Sequence, residues 1–122
     1  MAAQIADFSP KKINLKVTAG DDIVLPITVK QDGDPVDLTD YVFRCQFRES
    51  DGTLVYDLTE GDGITVYPLL GKFDIIADGA ETIGYDCETE LKYDIDVVNP
   101  DGNRRTWIAG ICTVSPQITA NS

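Results

Sequence analysis

Histidine is absent from the 122 residues. That absence removes imidazole acid–base work, Ser/His and Cys/His nucleophile pairs, and the zinc sites that need a His ligand. Base is scarce too: 10 Lys and Arg stand against 21 Asp and Glu, a formal net charge of -11. Such a chain repels phosphate backbones and anionic lipid, so neither nucleic acid nor a membrane is expected as a partner. No apolar run approaches the length of a membrane span, and the first residues lack the basic and apolar regions of a secretory signal. The three cysteines, Cys45, Cys87 and Cys112, are odd in number and have no C-x-x-C spacing. Free thiols in a reducing cytoplasm are therefore expected, not a disulfide framework. No serine lies in G-x-S-x-G, and no G-x-x-x-x-G-K-[ST] phosphate loop occurs. No catalytic residue is assigned, no cofactor is implied, and an enzyme is not expected.

What the chain does have is alternation of apolar and polar residues with period two, the mark of half-buried strands. Ile13, Leu15 and Val17 alternate with polar neighbours, and after Gly20-Asp21 so do Ile23, Leu25, Ile27 and Val29. Pro26 sits within this second run and cannot donate to a ladder, which makes the strand an edge or gives it a bulge. Tyr41, Phe43, Cys45 and Phe47 form one apolar face, with Leu38 pinned just before it. Further strands are read at residues 54–58, 64–67, 71–77, 91–97 and 104–114, separated by Asp/Gly turns about every ten residues. Residues 78–89 lack clear alternation and have room for one helical turn. The fold class is all-β, a single Ig-like antiparallel β-sandwich of about seven to eight strands over residues 12–116. Residues 1–11 and 117–122, with no partner in the strand pattern, are read as an N-terminal arm and a C-terminal tail.

The candidate chemistry is thin. Asp21-Asp22, Asp32-Gly33-Asp34 with Asp37, and Glu60 with Asp62 offer hard oxygen ligands, but none matches a calcium-loop spacing, and Asp and Gly are what tight turns require. No metal ligand is assigned. Aromatic side chains suggest a sugar platform; Tyr41 and Tyr93 are in phase with core faces, which leaves Tyr56 and Tyr85 freer. Arg104-Arg105, with Arg44 and Arg48, forms either a local positive face for an acidic neighbour or a set of gatekeepers on an edge. Ile5, Phe8 and Pro10 have no evident core role; they are either a strap that docks on a partner or a segment packed on its own domain. The partner-binding candidates are thus Ile5, Phe8, Pro10, Arg104 and Arg105.

The string from residue 13 through Gly20-Asp21, Asp32-Gly33-Asp34-Pro35-Val36-Asp37-Leu38-Thr39 and Phe47-Arg48 resembles small Ig-like β-sandwich proteins of tailed bacteriophages. Gly71-Lys72-Phe73-Asp74-Ile75, Thr82, Tyr93-Asp94-Ile95, the Asp101-Gly102 hairpin, Gly110 and Val114 continue the likeness to about residue 116. It is similar to the N-terminal domain of upper-baseplate and fibre-anchoring proteins. The resemblance implies a non-enzymatic virion structural protein, made in the host cytoplasm. It would act as a tail, baseplate or fibre-attachment adaptor through contacts with other virion proteins in a symmetric assembly. Such baseplate proteins continue into a stalk and receptor-binding region, so direct receptor recognition is not expected of this chain. Capsid decoration is the alternative within that class, and a carbohydrate-binding module the alternative outside it.

Overall fold

The computed structural model describes residues 11–116 and the backbone of residues 3–5. Eleven strands follow in order: β1 Ala3–Ile5, β2 Lys11–Lys12, β3 Leu15–Thr18, β4 Ile23–Gln31, β5 Asp34–Pro35, β6 Val42–Glu49, β7 Leu54–Glu60, β8 Gly63–Tyr67, β9 Lys72–Ala77, β10 Thr89–Val98 and β11 Arg104–Ser115. Two 3-10 turns, Pro68–Leu70 and Gly79–Glu81, are the helical elements among the described residues. The second lies in the stretch without alternation. Chemistry explains the strands: β4, β9 and β10 bury every second side chain and expose or half-bury those between.

The chain is all-β, and its strands form one continuous sheet in the order β1-β4-β9-β8-β7-β6-β10-β11-β2, with β3 also on β11 and β5 on β4. Hydrogen bonding passes from β7 to β8 through a short parallel bridge, Thr59 opposite Gly63 and Glu60 opposite Ile64. Gly63 makes the bend possible: its φ is 99°, and a Cβ there would lie 2.6 Å from Leu58 Cδ2. The sheet then curls over its own core. Phe43 of β6 packs 4.5 Å, centroid to centroid, from Phe73 of β9 although β7 and β8 intervene along the path. Phe47, Ile75, Leu91, Ile95 and Leu38 are buried in the same cluster.

Pro26 is accommodated by the edge. Val29 donates its N–H to Gly71 on the β9 side. N–H groups alternate along a strand, so position 26 faces the other way, and β1 pairs only from Ile27 onward.

Within residues 1–11, read from the sequence as an unpaired N-terminal arm, two short pieces pair with the sheet. Ala3–Ile5 run parallel to Ile27–Val29, and Lys11–Lys12 run parallel to Ile108–Ala109. The open sides of β4 and β11 present unpaired backbone groups, which satisfies a short strand of any sequence without amphipathic signal. Phe8, Pro10 and residues 117–122 lie outside the described residues. A second difference is continuity: β2 and β3 are one interrupted strand on β11, with the interruption at Ile13 and Asn14. There Ile13 donates to the Ala109 carbonyl and Asn14 Oδ1 accepts from the Ile111 N–H.

Candidate functional site

On the solvent face of β6, β10 and β11, residues that alternate away from the core meet in two rows. In the first, Lys92 stands between Arg48 on β6 and Ile111 on β11. In the second, Asp94 stands between Gln46 and Ala109, and Ala109 faces Lys12 of β2. Together they line an open basin of about 650 Å³. Its floor is short or aliphatic, from Ala109, Gly110 and Ile111, and its rim carries Lys11, Lys12, Arg48 and Lys92. In a chain of net charge -11, four of the ten basic residues surround one depression.

Gly110, between Ala109 and Ile111, sets how closely the edge strand approaches. A Cβ there would lie 1.9 Å from the Ile13 carbonyl oxygen, so only glycine lets the kinked edge strand approach. The space left on the core side is used by Tyr93, which is paired with Gly110 and donates its hydroxyl to the Ile13 carbonyl at 2.6 Å. The basin and the core thus share one wall.

The acids beside the basin are constrained. Glu49 accepts the Tyr85 hydroxyl at 2.9 Å. Burial pushes the Asp94 carboxyl up, as does neighbouring Asp96, while Arg48 opposes the shift. Arg48 is held by the Gly52 carbonyl at 3.0 Å and Gln46 Oε1 at 3.2 Å. Its neighbour Arg44 is committed elsewhere, in a two-pronged contact with Asp57, whose carboxyl it holds below the ordinary range.

The residues singled out in the sequence are dispersed. Arg104 and Arg105 do not make one patch: successive strand residues point to opposite faces, and Arg104 lines a groove with Val42, Glu60 and Asp96 whereas Arg105 lies beside Tyr41 and Trp107. Arg48 alone of the arginines considered reaches the basin. Ile5 is opposite Val29 by its backbone. Tyr56, read as freer, is buried at 6% exposure, because its strand turns Tyr56 and Leu58 to the same core face. Its hydroxyl donates to the Asp78 carbonyl. Tyr85 is half-buried, tied to Glu49, so the two do not form a shared aromatic platform. The acids of the turns act within the turns: Asp37 accepts from the Thr39 N–H and hydroxyl, Asp51 from Thr53, and Asp78 from Ala80. Among the described residues no three thiol or carboxylate side chains converge as metal ligands would.

The basin was missed in the sequence because its parts come from four distant segments. The one available signal was that Arg48 and Lys92 both occupy polar faces of strong strands.

No protein-family model matches the chain, and no curated protein matches it. Among solved structures it is similar to the N-terminal domain of phage TP901-1 ORF48, at 8% identity and a TM-score of 0.49, covering 96% of this chain and 99% of that one. It is also similar to murine CRIg, at 14% identity and a TM-score of 0.41, covering 88% of this chain and 93% of that one. At these scores neither likeness bears on function.

Proposed function

We propose that this chain is a non-enzymatic structural protein of a tailed-phage virion, an Ig-like two-layered module. It serves as an adaptor at the tail, baseplate or fibre base and acts through protein–protein contacts. The observation that carries the contact role is Lys92 set directly beside Arg48 over an apolar floor. Like charges opposed across a sheet are unfavourable unless something anionic comes between them. A merely solvated face gains nothing from that arrangement, whereas an acidic partner does. The virion assignment is supported by the resemblance of the motif string over residues 12–116 to that of small phage sandwich proteins.

The test is the copy number of the chain in purified virions by quantitative mass spectrometry, against portal and major capsid protein. A value on the portal or tail-ring scale is expected. A value on the capsid scale would replace the adaptor with a decoration protein, and absence from virions would overturn the virion reading.

A further inference from the structure

We infer that the basin receives the loop of residues 78–88 from a second copy of this chain. The inference rests on reading the basin as a protein-contact surface, and it names the occupant.

The loop has the complementary chemistry. It carries Asp78, Glu81, Asp86 and Glu88, all exposed, and no Lys or Arg. Among these acids stands Ile83, 59% exposed, an aliphatic side chain without a core role. The basin offers the reverse, an aliphatic floor of Ala109 and Ile111 with Lys12, Arg48 and Lys92 on its rim, outnumbering the acids Glu49, tied to Tyr85, and Asp94. An apolar knob flanked by carboxylates therefore meets an apolar hollow flanked by ammonium and guanidinium groups.

The loop is also held in shape before any contact. Thr82 is fully buried, donates its hydroxyl to the Gly79 carbonyl and accepts the Gly20 N–H. Gly79 donates its N–H to Asp22. Tyr85 fixes the far side of the loop through Glu49. Little ordering entropy is then lost on docking.

Glu49 gives the geometry. It lines the basin and anchors the loop, so donor and acceptor are neighbours on one molecule. Two copies related by a two-fold axis exchange loops reciprocally, each loop in the other's basin, and the assembly closes at a dimer. The overall charge of -11 on each copy opposes the approach. At physiological salt that repulsion is screened beyond about 8 Å, while the close pairs in the basin persist.

The experiment is sedimentation velocity on the purified full chain over a concentration series at physiological salt. A concentration-dependent dimer is expected. The pair Arg48→Glu with Lys92→Glu, and separately Glu81→Lys with Asp86→Lys, should each weaken association by about tenfold or more. Circular dichroism checks that both variants fold. An equimolar mixture of the two should dimerise again, because each mismatched surface then meets its charge-reversed partner. A wild-type chain monomeric at every concentration, a dimer indifferent to both variants, or a mixture that stays monomeric would overturn the inference. A monomer that is nevertheless present in virions would sink this contact and leave the virion reading standing. A dimer absent from virions would do the opposite.

Discussion

The hydroxyl of Tyr93 donates to the carbonyl of Ile13 across a position where Gly110 has no side chain to intervene. One glycine thus joins the central strand β10 to the edge strand two places away. Cross-strand coverage of a glycine by an aromatic ring pins register. The two ends of this contact fail differently.

Gly110→Ala sets a methyl against the backbone of Ile13, with contacts of 1.9 and 2.7 Å that no rotamer change relieves. The edge strand must leave β11, at a cost of about 3 kcal/mol or more. Urea unfolding measures the loss, and hydrogen exchange should show residues 11–18 losing protection first.

Tyr93→Phe keeps the ring and removes the donor. The buried site makes the loss about 1–3 kcal/mol. Tyr85→Phe, at a half-buried hydroxyl, should cost visibly less, and equal losses in the two urea midpoints would contradict this account.

Lys92→Gln relieves the like-charge pair with Arg48 and should stabilise the isolated chain by roughly 0.2–1 kcal/mol. A destabilised variant would mean that the ammonium group has a favourable partner within the chain.

Asp94 supplies a pH dependence of definite sign. Burial raises its carboxyl above the ordinary 3.8 in the folded chain. The native state therefore binds the proton more tightly than the unfolded state, and this group's contribution to stability falls as pH rises through the window above 3.8. Asp94→Asn should stabilise the chain at neutral pH, with the gain shrinking to nothing in acid below that window. Thermal melts of both proteins across the acid range measure it.

The thiols should divide by burial. Cys87 is exposed, whereas Cys45 and Cys112 are buried. Burial pushes the Cys112 thiol up to about 11 and raises Cys45 as well, with Asp94, Asp96 and Asp57 adding to the latter. A maleimide should label one thiol in the native chain and three in denaturant.

Alternation alone located the eight long strands, because each buries one face, and Phe43, Cys45, Phe47 and Tyr93 fell on that face as expected. Where no face decides, the sequence was silent. Ala3–Ile5 join the sheet through backbone groups, so nothing in Ala-Gln-Ile announces the pairing. Tyr56 looked accessible because a strand of mixed residues does not say which side meets the core. The basin was hidden for a further reason. Alternation places Arg48 and Lys92 on solvent faces, but only register makes them neighbours, and register is decided by turns and by packing of the whole sheet.

The interrupted edge strand has a consequence for how the chain is made. Asn14 meets Ile111 across 97 residues of sequence, and Leu15–Thr18 pair with the residues that follow it. During synthesis Asn14 emerges 97 residues ahead of Ile111 and waits for it. Contacts of such long separation make folding slow. Until β11 arrives, Leu15 and Val17 remain on an open edge, where Lys12 and Lys16 are the charges that keep one nascent chain from pairing with the next.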